Sequence, residues 1–182
     1  WLPNGITLAL LIRSRYRDWP AYFAASHLAY IAMVIWLDNY YLINAFFLGL
    51  INCLESVIGA WLFLRFTPIP LFLSDVKNML RLILLAGLAA PAIAAFCGAA
   101  AVVILFNHGD YWLVWYTWLS GDATGIILMA PCILAWTSRE GEHYSPKQIA
   151  EILVQFLLCA IASILIFGGS ISHPYVLPYF MF

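Results

Sequence analysis

Charge is what this chain of 182 residues has least of: 9% of its residues are Asp, Glu, Lys or Arg, against about 25% in a soluble domain. So thin a supply cannot cover a water-facing surface, which excludes an ordinary cytosolic enzyme. Eight Lys and Arg are balanced by nine Asp and Glu, so the basic footprint of a nucleic-acid binder is missing too. Cysteine is equally sparse. Cys53, Cys97, Cys132 and Cys159 stand singly in apolar segments, without CxxC or metal-type spacing, and read as small buried hydrophobes. The apolar segments hold no HExxH, no GxSxG and no paired Ser–His arrangement. Neither a catalytic residue nor a cofactor is therefore expected. No charged n-region marks a signal peptide, and no connection is long enough to hold a soluble catalytic domain.

Apolar residues supply what is left. They make up 65% of the chain, aromatics 16%, and the mean hydropathy is +0.93. A helix needs about 20 apolar residues to cross a hydrocarbon core of ~30 Å. Cutting the chain at charged and Pro/Gly/Asn clusters gives six such passages and the start of a seventh. They cover residues 3–12, 19–37, 41–66, 74–106, 111–136 and 149–167, and the last begins near Val176. Pro3 suits the first turn of a helix, and Ser74 is the expected N-cap of the fourth. Barrel strands would be ~10-residue alternating segments, whereas these runs are longer and continuously apolar. The fold class is an all-α integral membrane bundle. The first run is too short to span and the last is unfinished, so residues 1–182 are expected to be one transmembrane domain cut at both ends.

Every basic residue falls in connections on one side: Arg13, Arg15 and Arg17, then Arg65, Lys77 and Arg81, then Arg139 and Lys147. The opposite connections carry Asp38, Asn39, Asn107, His108, Asp110, Ser172 and His173, with no Lys or Arg. The positive-inside rule makes the basic side cytoplasmic. This puts Trp1 outside and directs the chain inward at its end. Trp19, Trp36, Tyr40, Tyr41, Tyr111, Trp112 and Trp136 lie near the ends of the passages, where aromatic anchors are expected.

Three ionisable side chains fall near the middle of three different passages: His27, Glu55 and Asp122. A charge at a helix centre costs ~2.5–3.5 kcal/mol on insertion scales, so such residues face the bundle interior, a polar cavity or one another. Asn52 precedes Glu55 by one turn and Asn44 lies two turns before Asn52, all on one face. Ser120 and Thr124 flank Asp122. One reading is a polar midplane site for a ligand or a proton, built from His27, Asn52, Glu55 and Asp122. The other is interhelical hydrogen bonding that fixes the packing. Desolvation disfavours a charged carboxyl, so at least one of the two acids is expected to carry its proton at neutral pH. A close pair would titrate together. No spacing supports a metal site. Gly121 and Gly125 bracket Asp122 as a small-xxx-small pair, which fits either close packing within the chain or dimerisation. Pro91 removes a backbone hydrogen bond and is expected to kink the fourth helix. His108, His143 and His173 read as solvated loop residues.

Several stretches resemble a known family. Trp1-Leu2-Pro3-Asn4-Gly5-Ile6 opens a helix, Arg-rich residues lead to Trp19-Pro20, and Asn52-Cys53-Leu54-Glu55 is followed by Gly59-Ala60-Trp61-Leu62. Asp75-Val76 precedes the fourth passage, and Trp115-Tyr116-Thr117-Trp118-Leu119-Ser120-Gly121-Asp122-Ala123-Thr124-Gly125 precedes Pro131. Order and spacing resemble the bacterial membrane-associated sensor family, type one (MASE), over essentially the whole chain. The resemblance implies about eight transmembrane helices in the bacterial inner membrane. It also implies a cytoplasmic C-terminus and an output domain after residue 182, such as a histidine kinase or a cyclic-di-GMP cyclase or phosphodiesterase. The expected partners are the lipid bilayer, that output domain, a second copy in a homodimer, and an unknown small ligand or membrane partner. No residue-level site comes with the resemblance. The alternative is a transporter of a small solute or ion, for which midplane carboxylates and a Pro-kinked helix are equally fitting.

Overall fold

The computed structural model describes residues 1–38, 42–68, 75–106 and 109–138, together with Ala150, Leu153, Val154 and Leu157. Helices and short turns account for all of the described backbone. Helix α1 (Leu2–Arg13) has Pro3 in its first turn and stops at Ser14, which turns extended. A 3-10 turn, Tyr16–Asp18, leads into α2 (Trp19–Asp38). Helix α3 (Leu42–Phe66) follows, then α4 (Val76–Arg81), a π-helical stretch Leu82–Ala89, α5 (Ala90–Phe106) and α6 (Tyr111–Ser138).

The helix ends follow local chemistry. Asp75, rather than Ser74, caps α4, its carboxylate accepting from the Lys77 N–H at 3.0 Å. Ser74 itself lies outside the described residues. Asp110 does the same for α6 through the Leu113 N–H at 2.9 Å, after Gly109 has turned the chain at a φ of 96°, a region that favours glycine. The widened stretch before α5 is the form Pro91 takes here. Proline offers no N–H and its ring crowds the carbonyl four residues back. The Ala90 N–H accordingly reaches back to the Leu85 carbonyl, five residues away.

Three helices are long and apolar enough to cross a membrane among the described residues. They are Leu42–Phe66, Val76–Ile104 and Tyr111–Thr137, with mean hydropathies of 1.8, 2.2 and 1.5. Helix α2 has 20 residues, a length of about 30 Å, but Pro20, Ser26 and His27 dilute its apolar character. Helix α1 is apolar and shorter. The passages expected over residues 149–167 and from Val176 lie outside the described residues.

Residues 1–137 form one compact unit. Helix α3 is its centre, packed by α1, α2, the π-helical stretch and α5. Its buried positions include Ala45, Leu48, Asn52, Glu55, Ser56, Gly59 and Phe63, a stripe at three- and four-residue intervals. An apolar core joins Leu8, Leu11 and Ile12 of α1 to Phe63, Leu82, Ile126, Ala130 and Leu134. Trp19 belongs to this core rather than to an interfacial belt: it is 9% exposed and its indole N–H donates to the Leu11 carbonyl at 3.0 Å. Trp36 and Trp136, at 83% and 80% exposed, lie near the ends of α2 and α6. Cys53 is buried, whereas Cys97 and Cys132 are exposed on the flanks of their helices. Of residues 138–182, Ser138, Ala150, Leu153, Val154 and Leu157 are described, all with helical backbone.

Helix α1 meets α6 at two glycines. A β-carbon on Gly5 would come within 2.7 Å of the Gly125 carbonyl oxygen and of Met129 Cβ, and one on Gly125 would collide with the Trp1 backbone. Trp1 thus lies against the middle of α6.

Candidate functional site

The stripe on α3 sets the site. Asn52 and Glu55 stand three residues apart and Ser56 one turn beyond Asn52, so all three side chains leave the same face. Across from them, α1 presents Asn4. Its amide Nδ2 donates to Asn52 Oδ1 and to Glu55 Oε1, both at 3.0 Å. Asn52 Nδ2 donates in turn to the Leu48 carbonyl at 3.0 Å. The Ser56 hydroxyl lies 3.3 Å from the Asn52 carbonyl and 3.4 Å from that of Asn4. Asn4, Asn52, Ser56 and Glu55 are all buried, Glu55 at 0% exposed.

Helix α6 closes the cluster from the other side. Asp122 is buried, and its carboxyl interacts with that of Glu55, with the Trp118 indole reaching both. The Trp1 backbone nitrogen donates to the Gly121 carbonyl and lies 3.5 Å from Asp122 Oδ1. Glu55 Oε2, Asp122 Oδ2 and Trp118 Nε1 are buried without a hydrogen bond of ordinary geometry. Three polar atoms from two helices therefore keep bonding capacity left over in one buried neighbourhood. Trp118 is held there by α5, its ring lying 2.7 Å from where a β-carbon on Gly98 would sit. Trp115 and Tyr111 tie the same helices together through the carbonyls of Ala92 and Phe96.

The structure brings Asn52, Glu55 and Asp122 together and leaves His27 apart. His27 faces Gly49 and Phe46, nearer the start of α3. Its ring stands edge-on to Phe46 at 5.0 Å and tilted against Phe23 at 6.2 Å, and both ring nitrogens are buried without a hydrogen bond. Equal depth on separate helices did not make contact, because the α2 face carrying His27 points at an aromatic wall. Gly121 and Gly125 pack against α1 within the chain. Pro91 is fully buried in the first turn of α5, directly after the π-helical stretch. Among the described residues no group of three His, Cys, Asp or Glu side chains could hold a metal ion.

A cavity of about 220 Å³ adjoins the cluster between α1, α2 and α3. Asn4, Asn52 and Ser56 form part of its wall, as do Thr7 and Ser26, whose hydroxyls meet at 2.9 Å. Sequence reasoning assigned no role to Asn4, Thr7, Ser26, Ser56 or Trp118. Helical spacing held the signal for most of them: Asn4 and Thr7 at i, i+3, Asn52 and Ser56 at i, i+4, Trp118 and Asp122 at i, i+4.

Comparison with known proteins supplies a family. The MASE1 family model matches residues 1–182. Searches of curated proteins and of solved structures return no match. The match spans the whole of this chain, which belongs to MASE1, the family of membrane-associated sensor domains.

Proposed function

We propose that residues 1–182 form the membrane input domain of a bacterial signal-transduction protein, and that the Asn4–Asn52–Glu55–Asp122 cluster is its switch. Membership in a sensory family supplies the role, and the observation that carries the switch is the convergence of three helices on one buried carboxyl pair. Glu55 is held by Asn4 of α1 and interacts with Asp122 of α6. A change in either carboxyl alters both helix contacts at once. A signal shifts an equilibrium only if it interacts differently with the two states, and bonds between helices are what two helix arrangements exchange. In this reading the basic connections face the cytoplasm. The last helix passes the bias to a cytoplasmic output domain of the same chain, either a histidine kinase or a cyclic-di-GMP cyclase or phosphodiesterase. The partners are the inner-membrane bilayer, a second copy in a homodimer, and a small ligand or membrane protein that delivers the signal.

The test is output activity of the full-length protein in native-like membranes with Glu55→Gln and Asp122→Asn. Each is expected to lock the output high or low, at a helical content equal to wild type. Unchanged basal and stimulated output in both variants rejects the switch. The buried carboxyls with unsatisfied oxygens also suit a transporter of a small solute or ion. Solute flux into proteoliposomes, abolished by Glu55→Gln, would put that reading first.

A further inference from the structure

We infer that the cavity between α1, α2 and α3 is a binding site for a small, uncharged aromatic molecule bearing one hydrogen-bonding group. That this molecule is the domain's signal rests on the sensory reading above; that it binds rests on the cavity alone. Size comes first. An apolar cavity of ~150 Å³ accommodates benzene, so about 220 Å³ holds a ring with a polar substituent. Charge comes second. The wall contains no Asp, Glu, Lys or Arg side chain, and an ion desolvated there without a partner would be strongly disfavoured.

The lining combines two chemistries. One is aromatic and soft: the rings of Trp1 and Tyr30 meet edge to face at 6.1 Å and 74°, and the polarisable Met33 lines the cavity with them. Aromatic edges and thioethers favour an aromatic guest over an aliphatic one. The other is polar: the side chains of Asn4, Asn52, Thr7, Ser26 and Ser56. A mostly apolar cavity with a few converging polar groups is the usual form of a small-molecule site. The same polar groups hold the helices to one another: Thr7 to Ser26 across α1 and α2, Asn4 to Asn52 and Glu55 across α1 and α3. A guest hydroxyl that bonds to Asn4 or Ser26 competes with those ties. Occupancy is thereby linked to the carboxyl cluster, although Glu55 and Asp122 do not line the cavity.

The test uses the full-length protein in lipid nanodiscs and three probes: p-cresol, toluene, which lacks the hydroxyl, and benzoate, which carries a charge. Equilibrium dialysis should show saturable p-cresol binding beyond that of empty nanodiscs, with toluene and benzoate at least about tenfold weaker. Ser26→Phe and Ala29→Phe each fill the cavity, and each should weaken p-cresol by at least about tenfold at unchanged helicity and elution volume. The site is rejected by p-cresol uptake equal to that of empty nanodiscs. It is rejected equally by toluene binding as well as p-cresol, the mark of an apolar slot. Wild-type binding in a folded Phe variant also rejects it. If p-cresol fails to bind while Glu55→Gln still alters output, the ligand assignment falls and the sensory reading stands. If p-cresol binds with the stated selectivity and output responds to neither, the sensory reading falls and the site stands.

Discussion

Removing the Asn4 side chain is the most direct test of the cluster. Asn4→Ala deletes two hydrogen bonds of 3.0 Å, to Asn52 Oδ1 and Glu55 Oε1. Hydrogen bonds between membrane helices average ~0.6 kcal/mol and reach ~1.7 kcal/mol, so two of them set the loss at ~1–3 kcal/mol. The figure agrees with the ~1–3 kcal/mol expected when a buried acceptor is left without its donor. Asn4→Asp keeps the volume and replaces the donor with a carboxyl facing two acceptors. It should cost more than Asn4→Ala, toward the ~3–5 kcal/mol of an uncompensated buried charge. Glu55→Gln retains an oxygen that can accept from Asn4 and should cost less than either. The measurement is reversible unfolding in mixed micelles at increasing SDS fraction, followed by far-UV circular dichroism, with Asn4→Ala, Asn52→Ala and the double variant forming a cycle. A coupling of ~0.6–1.7 kcal/mol is expected. An Asn4→Ala loss within ~0.3 kcal/mol, strictly additive with Asn52→Ala, would show that these bonds carry no weight and that the cluster is not what joins α1 to α3.

Three further substitutions separate packing from polarity. Gly5→Ala forces α1 off the Gly125 carbonyl and Met129, and should destabilise by ~1–3 kcal/mol in the same assay as overpacking does; a neutral result would place α1 and α6 farther apart than described. Gly98→Ala presses on the Trp118 ring and should change the near-UV circular dichroism while far-UV helicity is kept, because the indole shifts between α5 and the carboxyls. His27→Leu replaces an imidazole whose nitrogens are both buried and unbonded, so it should be neutral or stabilising by about 1 kcal/mol. A loss beyond about 1 kcal/mol would reveal a partner for the ring.

The membrane character, the helical apolar runs through residue 136 and the place of Glu55 and Asp122 near the middle of two of them were legible in the sequence, because each depends on position along one chain. Hydrocarbon thickness turns residue count into depth, and an apolar run interrupted by an acid announces itself. The count also made His27 look like a third member. Depth is one coordinate, however, and contact needs two more: the rotation of each helix about its axis and the order of its neighbours. Rotation was partly readable on α3, where the Asn44–Asn52–Glu55 stripe also takes in Ser56, one turn beyond Asn52. Neighbour order was not readable. Asn4 lies 51 residues from Glu55 in sequence, in a run too short to span, and its own turn shows nothing that selects α3 over α2.

The small residues make the same point in reverse. A Gly-x-x-x-Gly pair says that some backbone comes close without saying whose, so Gly121 and Gly125 were open to a partner within the chain or beyond it. In the structure that face is already taken, by Trp1 against Gly121 and Gly125 and by Gly5 against Gly125. The glycines bring the start of α1 onto α6 and, one residue before Gly5, set Asn4 against Asn52 and Glu55. The close approach and the polar cluster are therefore one arrangement. A homodimer of this domain that leaves α1 in place has to form on another face, and a signal that moves α1 must break the glycine contact and the Asn4 bonds together.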